Sequence, residues 1–295
     1  SELLCDFATS GDTFISSDDI SWVHQNISEP RSFGQSDRGV WIWEQPEPGH
    51  EYVISADVAR GDGNDCGAFH VIDKITGVIA AEYLGRRAPD KLGDLLDEYG
   101  RLYNRALVCP ENNTFGWSTI RRLEQLNYPR RYREDDPATI SGGYRSVQST
   151  KLAGKRIDVR SRELVLGRLE ELIRNKRLLI RSSRFVDQAR MFVWVNTKPQ
   201  AQKGYNDDLI MSLAIGAWLL DATLGGTENS SAMHAALIKA ISMRETELVR
   251  EPPTTPSSGP RPADGFQITV NDGPGQRRRQ NTNDPYGEFR WILGR

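Results

Sequence analysis

One stretch, residues 52–73, constrains the fold of this chain most, because it predicts two strands joined by a tight turn. Residues 52–56 are a short apolar run bounded by polar residues, which is typical of a buried central strand. The turn at residues 61–65 contains two glycines and an asparagine, which adopt positive φ at little cost. Residues 68–72 are apolar again, so the pair predicts a β-hairpin, and Asp57 stands where its first strand ends.

Further short apolar runs extend this hairpin into a sheet. Residues 78–84 predict a third strand, residues 106–110 a fourth and residues 128–132 a short fifth. Residues 89–103, between the third and fourth strands, carry apolar side chains on one helical face. The order predicts an α/β fold, in which a mixed five-stranded sheet has an antiparallel meander followed by parallel strands and is flanked by helices. This is the ribonuclease H-like pattern.

The domain boundaries follow from changes in composition. Residues 209–220 are apolar nearly all round, which predicts a last helix buried against the sheet. We expect residues 51–224 to form one ribonuclease H-like domain, and residues 1–50 to be a linker or the end of a preceding domain. Residues 225–250 predict a C-terminal helix. Residues 251–295 are rich in Pro, Thr, Ser, Gly and Arg, which predicts a disordered tail.

Composition and cysteine usage exclude several classes of protein. No apolar run approaches the roughly 20 residues that span a bilayer, and no signal peptide is visible, so we expect a protein that is neither membrane-bound nor secreted. The three cysteines are widely spaced and form no CxxC or Cys/His cluster, which argues against zinc and favours a reducing compartment. The formal net charge is −2, but Arg and Lys are dense over residues 121–184, and such a local patch can bind nucleic acid.

Acidic residues recur at three equivalent positions of the predicted fold. Asp57 ends the first strand, Glu111 follows the fourth, and Asp207 and Asp208 open the last buried helix. If the first and fourth strands lie side by side and parallel, Asp57 and Glu111 project from the same edge of the sheet, where ligands gather in such folds. The helix that opens at Asp207 then brings a third carboxylate over that edge.

Crowded carboxylates need a cation, because like charges a few ångströms apart resist joint ionisation. Hard oxygen ligands suit Mg²⁺ or Mn²⁺, and two such ions roughly 4 Å apart clamp the attacking and leaving oxygens of a phosphodiester. Such hydrolysis requires no His or Cys nucleophile. Asp65, in the turn after Asp57, either binds a second ion or bonds to the turn backbone. One member of the Asp207–Asp208 pair can cap the helix while the other binds metal, and we favour Asp208 as the ligand.

A basic segment at residues 151–162 supplies further candidates. These side chains either contact DNA phosphates or form a solvated charged face. Asn112 and Asn113 directly follow Glu111, so they either orient its carboxylate or touch the substrate backbone. The four histidines form no motif, and structural roles are expected for them. The DNA-binding candidates are Lys151, Lys155, Arg156, Arg160 and Asn112.

Three sequence motifs surround the acidic residues. They are Ile-Ser-Ala-Asp-Val-Ala-Arg-Gly-Asp-Gly-Asn-Asp at residues 54–65, Pro-Glu-Asn-Asn-Thr-Phe-Gly at residues 110–116 and Gly-Tyr-Asn-Asp-Asp-Leu-Ile-Met-Ser-Leu at residues 204–213. Together they resemble the nuclease domain of the large terminase subunit of tailed double-stranded DNA phages, over about residues 51–220. Residues 1–15 resemble the join between the packaging ATPase of that family and its nuclease.

The resemblance implies a Mg²⁺-dependent endonuclease that cuts concatemeric viral DNA during genome packaging. It places the family's metal-binding acids on Asp57, Glu111 and Asp207 or Asp208. The implied partners are double-stranded DNA, the ATPase domain of the same full-length protein, the small terminase subunit and the portal, at the procapsid in the host cytoplasm. No GK[ST] phosphate-binding loop occurs, so this chain is not expected to be the packaging motor by itself.

Two other functions remain open from the sequence. Another ribonuclease H-like nuclease, such as a junction resolvase, would use the same kind of acids, and cleavage of branched rather than linear duplex DNA would identify it. A non-catalytic DNA-clamping module, in which the acids only cap turns and helices, predicts that neither stability nor activity depends on metal.

Overall fold

A mixed sheet with helices on both faces makes up the part of the chain that the structure describes. The computed structural model describes residues 13–62, 65–135, 140–141, 144–145 and 151–224. The predicted helix over residues 225–250 and the predicted tail over residues 251–295 lie outside these residues, as do residues 1–12. Within the described ranges, no helix is long and apolar enough to cross a membrane.

The helices and strands have the following bounds. The helices are α1 (Ser17–Gln25), α2 (Pro89–Leu102), α3 (Gly116–Gln125), α4 (Val159–Arg174), α5 (Ser183–Arg190) and α6 (Asp208–Leu224). The central sheet contains β1 (Ser32–Phe33), β2 (Val40–Ile42), β3 (Tyr52–Asp57), β4 (Gly67–Asp73), β5 (Ile79–Gly85) and β6 (Leu107–Pro110). Three ribbons pair β7 (Arg133–Asp135) with β10 (Lys151–Ala153), β8 (Ile140–Ser141) with β9 (Tyr144–Arg145), and β11 (Phe192–Val195) with β12 (Lys198–Ala201).

The central sheet confirms the predicted α/β architecture. Its strand order is β1-β2-β5-β4-β3-β6. Strands β3, β4 and β5 form the antiparallel meander, and β6 then pairs in parallel with β3. The crossover between β5 and β6 runs through α2, which covers one face of the sheet. This arrangement sets the carboxyl ends of β3 and β6 side by side.

The strand count differs from the prediction, since the sheet has six strands among the described residues rather than five. The expected fifth strand, residues 128–132, contributes one isolated bridge there, between Arg131 and Val108. Pro110 of β6 contributes to the difference, because it has no N–H to continue the ladder, and the Tyr132 carbonyl accepts from the Gly154 N–H at 2.9 Å instead. The additional strands β1 and β2 lie at the opposite edge, where β2 pairs with β5. They come from the segment expected to be a linker.

Successive side chains of β3 enter hydrophobic cores on opposite faces of the sheet, as the two-residue period of a strand requires. Val53 packs in the core that contains α4, α5 and α6. Ile54 packs in the core that contains α2 and part of α3. Residues 13–50 contribute to both cores, through Ile20 of α1 and Val40 of β2. These residues therefore pack as part of the same fold as the sheet.

Helix α6 is buried against β3 and β4, as its nearly continuous apolar sequence predicts. Gly216 permits this close approach, because a Cβ at that position would lie 2.5 Å from Ile72 Cδ1 and 2.6 Å from Ser55 Oγ. Ser55 lies two residues before the end of β3, and Gly216 lies about two turns after the start of α6. The contact therefore fixes the start of α6 relative to the end of β3.

A buried polar network also joins α6 to the sheet. His70 of β4 bonds through Nδ1 to Ser212 Oγ of α6 at 2.9 Å and through Nε2 to Glu82 Oε2 of β5 at 3.2 Å, a structural role of the kind expected for the histidines. Glu82 Oε1 accepts hydrogen bonds from Ser182 Oγ at 2.8 Å and Arg184 Nε at 2.9 Å. Burial by itself raises the pKa of Glu82, but the bonds and charges of His70, Arg184 and Ser182 outweigh it and lower the pKa.

Replacing Glu82 with Gln is expected to lower the free energy of unfolding by about 3–5 kcal/mol at neutral pH, because the largely buried Arg184 guanidinium loses its anion. Since folding lowers the pKa of Glu82 below 4.5, its ionised carboxylate stabilises the native state above pH 4.5. That contribution is lost as the pH falls through the folded-state pKa. Denaturant unfolding should therefore show that the wild type and Glu82→Gln converge in stability at acidic pH.

Glu170→Gln is the matched control for this experiment. Glu170 pairs with Arg174 one turn away on α4, and Arg174 is 56% exposed, so the change should cost no more than about 0.5 kcal/mol. A stability difference between wild type and Glu82→Gln that stays constant across the acidic range would contradict the role given to the ionised carboxylate.

Candidate active site

The parallel pairing of β3 and β6 brings Asp57 and Glu111 to one edge of the sheet. Ala56 lies opposite Pro110, and the N–H of Glu111 donates to the Ala56 carbonyl oxygen at 2.8 Å. Asp57 ends β3 and Glu111 directly follows β6, so both side chains lie at the carboxyl ends of their strands. The two carboxyl groups share a hydrogen bond, which requires a proton on one of them.

Hydrogen bonds on the other side of β6 hold Glu111 in place. The N–H of Lys155 donates to the Pro110 carbonyl at 2.9 Å, and the N–H of Asn112 donates to the Lys155 carbonyl at 2.7 Å. Asn113 donates through Nδ2 to Glu111 Oε1. Asn113 therefore orients this carboxylate, which is one of the two roles expected for it. Glu111 is only 8% exposed, so its carboxylate is both fixed and largely shielded from water.

The start of α6 places Asp208, with Asp207 before it, beside this pair. Gln188 of α5 caps the first turn, since its Oε1 accepts a hydrogen bond from the N–H of Leu209 at 2.8 Å. The carboxylate of Asp208 accepts a hydrogen bond from the backbone of Cys66. Its Oδ2 atom is buried and has no hydrogen-bond partner in the described part of the chain. A buried oxygen of this kind is costly unless a ligand satisfies it.

Burial, together with the charges of neighbouring carboxylates, raises the pKa of three carboxyl groups. Burial, with the charges of Glu111, Asp208 and Asp207, raises the pKa of Asp57 well above its ordinary range. Burial also raises the pKa of Glu111. Burial and the charges of Asp207 and Asp65 raise the pKa of Asp208 to about 7. The site therefore retains protons near neutral pH that a bound cation would release.

Arg162 of α4 neutralises part of this negative charge. Its Nη2 donates to Asp207 Oδ2 at 2.7 Å, with the two side chains 31% and 30% exposed. Its positive charge also opposes the rise in the pKa of Glu111. The sequence shows Arg162 only as one of several basic residues near the start of α4, and no spacing rule predicts this contact.

Arg156 and Arg160 are the exposed members of the DNA-binding candidates. Arg156 precedes α4 and Arg160 lies in its first turn. Lys151 lies in β10, where its backbone pairs with that of β7. Among the acidic candidates, Asp65 is exposed, and its effect on the pKa of Asp208 places it near the acidic site.

Lys155 and Asn112, by contrast, support the structure around Glu111. Lys155 Nζ donates to Glu134 Oε2 at 2.8 Å and lies 4.3 Å from the centre of the Trp218 ring. Asn112 is 7% exposed and donates through Nδ2 to the Ala153 carbonyl at 2.7 Å. The Lys155 side chain thus contacts β7 and α6, and the Asn112 side chain contacts β10.

The donors fit a divalent metal ion chemically, although in this structure they bond to other groups. Asp57 and Glu111 bond to each other, and Asp207 bonds to Arg162. Accordingly, the described residues contain no ready-made group of three or more His, Cys, Asp and Glu side chains placed to hold a metal ion. The buried Asp208 Oδ2 has no hydrogen-bond partner among the described residues, and the pKa values are raised, as expected of crowded hard-oxygen donors of the kind that suit a divalent cation.

Comparison with known proteins identifies the fold. No family model matches the chain. The magnesium-bound large terminase nuclease from thermophilic phage G20c aligns with a TM-score of 0.52 and 18% sequence identity, over 68% of this chain and 96% of that one. The cobalt-bound form of the same nuclease aligns with a TM-score of 0.52 and 20% identity, over the same shares. The chain therefore has the fold of these nucleases, as the sequence motifs predicted.

In chelator-treated protein, Asp208→Asn is expected to raise the free energy of unfolding by on the order of 2 kcal/mol, because it removes a buried charge whose Oδ2 atom has no hydrogen-bond partner among the described residues. The measurement should be made above the Asp208 pKa of about 7, where the wild-type carboxylate is ionised. Addition of Mg²⁺ should then raise the melting temperature of the wild type but not that of Asp208→Asn.

Asp221→Asn is the matched control, because Asp221 lies near the far end of the same helix and pairs with Arg168 at the surface. Its substitution should change stability by less than about 1 kcal/mol and leave the Mg²⁺ effect intact. Two results would contradict the role given to Asp208 as a metal ligand. One is that Asp208→Asn lowers the free energy of unfolding in chelator, and the other is that Mg²⁺ still raises the melting temperature of this variant.

Proposed function

We propose that this chain is the nuclease module of a phage large terminase, a divalent-metal-dependent endonuclease that cleaves concatemeric viral DNA during genome packaging. The observation that carries the proposal is the convergence of Asp57, Glu111 and Asp208 at one edge of a ribonuclease H-like sheet. The shared fold supports it, and the magnesium- and cobalt-bound forms of the phage G20c nuclease support the use of a divalent ion.

The proposed metal ligands are Asp57, Glu111 and Asp208. Asp207 joins them when it leaves Arg162, and Asp65 is the candidate for a second ion at the exposed side of the site. The proposed cofactor is Mg²⁺ or Mn²⁺, with two ions per site. When bound, such ions supply an activated water and stabilise the leaving 3′ oxygen of a phosphodiester.

The residues of the chain itself position these ligands. Asn113 fixes the orientation of Glu111, and the β3–β6 ladder fixes its separation from Asp57. Arg162 offsets part of the negative charge, so that an incoming phosphate meets a less repulsive site. Such preorganisation matters because a loose ligand set must be ordered at each turnover.

We place the double-stranded DNA against the exposed Arg156 and Arg160, since exposed guanidinium groups suit phosphate contacts. Lys151 remains a further candidate, whereas the contacts of Lys155 and Asn112 favour structural roles. The proposed protein partners are the ATPase domain of the same full-length protein, the small terminase subunit and the portal. The proposed location is the procapsid portal in the host cytoplasm.

Supercoiled plasmid tests the proposal directly. The wild type is expected to nick it with Mg²⁺ or Mn²⁺ and not with EDTA. Asp57→Asn, Glu111→Gln and Asp208→Asn are each expected to lower the rate by at least about 100-fold, because loss of a direct ligand should exceed the effect of losing a group that supports one. Asp221→Asn, on the surface of α6, should cleave at the wild-type rate.

Equal activity in the wild type and Asp57→Asn would contradict the assigned site. Preferential cleavage of branched DNA over linear duplex would favour a junction resolvase instead. A wild type that binds DNA but shows neither cleavage nor stabilisation by metal would favour the non-catalytic DNA-clamping module. The same purified proteins can be used to measure plasmid cleavage, preference for branched DNA and stabilisation by metal.

A further inference from the structure

A groove of about 450 Å³ opens beside Glu111, between the start of α3 and the segment that joins β10 to α4. Its volume lies within the range of about 300–1,000 Å³ that is typical of sites for small ligands. The proposed metal site leaves this groove unassigned. We call it the Trp117 groove; its lining includes Asn112, Asn113, Trp117, Leu152, Arg156 and Ile157.

Trp117 is the large exposed aromatic side chain of the groove. It lies in the first turn of α3 and is 50% exposed. Among the described residues its ring has no stacking or cation–π partner. The half-buried Trp218 and Trp41, by contrast, have Lys155 and Arg184 over their rings, at 4.3 Å and 3.8 Å. A free indole face in a groove is suited to a flat ligand.

Polar side chains connect the groove to the acidic site. Asn113 lines the groove and donates to Glu111 Oε1. Arg156 is exposed, and its backbone N–H donates to Glu134 Oε1 at 2.9 Å, which fixes the backbone that carries this cation. A ligand in the groove would therefore lie next to Asn113, the hydrogen-bond partner of Glu111, and against the lining residues Trp117 and Arg156.

We propose that the Trp117 groove binds an unpaired nucleobase of the DNA, stacked on Trp117, with Arg156 against the adjoining phosphate. This inference rests on the proposed nuclease function and deepens it. Bases in an intact duplex stack on one another, so a protein ring reaches the face of a base only where the strand is unpaired or the base is extruded. The DNA bound at the acidic site is therefore locally melted.

Fluorescence anisotropy of labelled DNA tests the groove, with EDTA present so that no cleavage occurs. The probes are a fully paired duplex and the same duplex with a few central nucleotides unpaired. We expect the wild type to bind the unpaired probe more tightly. Trp117→Ala should lose on the order of tenfold in affinity for that probe alone, which is the size of one lost base–aromatic stack. Trp117→Phe should retain most of the affinity.

Two further variants distinguish the effect of base stacking on DNA affinity from the effect of a positive charge and from the loss of any exposed tryptophan. Trp194→Ala is the matched control, because Trp194 is 47% exposed on β11 and does not line the groove. It should bind both probes as the wild type does. Arg156→Ala should weaken binding of both probes and reduce the salt dependence by about one phosphate contact. Circular dichroism verifies that each variant is folded.

The inference is overturned if the wild type does not distinguish the probes, or if Trp117→Ala weakens both equally or neither. A separate assay of DNA cleavage with Mg²⁺ tests the nuclease proposal independently of probe binding. Metal-dependent cleavage without probe discrimination rejects the groove and retains the nuclease. Discrimination that depends on Trp117, with neither metal-dependent cleavage nor stabilisation by metal, rejects the nuclease and retains the groove as a site for unpaired DNA.

Discussion

Repulsion among the carboxylates at the end of β3 is the force that the surrounding structure has to oppose. Asp57, Glu111 and Asp208 come from three different elements, and burial, together with the charges of neighbouring carboxylates that include Asp207, raises the pKa of each. A small shift of β6 or α6 would separate them and relieve the strain. The parallel ladder between β3 and β6 prevents the first shift. The close approach at Gly216 and the buried network around Glu82 prevent the second.

Because the carboxylates cannot move apart, contacts with neighbouring side chains offset their negative charge. Asp57 and Glu111 are hydrogen-bond partners, and Arg162 pairs with Asp207. Under the proposed function a divalent cation replaces both contacts, because it supplies positive charge at the same carboxylates. This explains how the described residues can lack a ready-made ligand group while their donor chemistry suits Mg²⁺.

Sequence patterns predicted the acidic site because strand ends and helix starts are local features. Asp57 and Glu111 follow short apolar runs, and Asp208 opens a long one, so the immediate neighbours of each residue locate it. The pairing of β2 with β5 instead joins segments about 40 residues apart, which no local pattern encodes. The same holds for Arg162 and Asp207, which are 45 positions apart. The Trp117 groove likewise forms only when α3 meets the segment before α4.

Direct titration of the metal-free protein with Mn²⁺, followed by electron paramagnetic resonance of the free ion, tests the central claim most directly. If Asp57, Glu111 and Asp208 form one cation site, each of Asp57→Asn, Glu111→Gln and Asp208→Asn weakens Mn²⁺ binding by more than about tenfold. Asp221→Asn leaves the Mn²⁺ affinity unchanged. The binding stoichiometry of the wild type gives the number of ions per site. Mn²⁺ affinity that is the same in the wild type and all three site variants would contradict the claim that these carboxylates form a metal site.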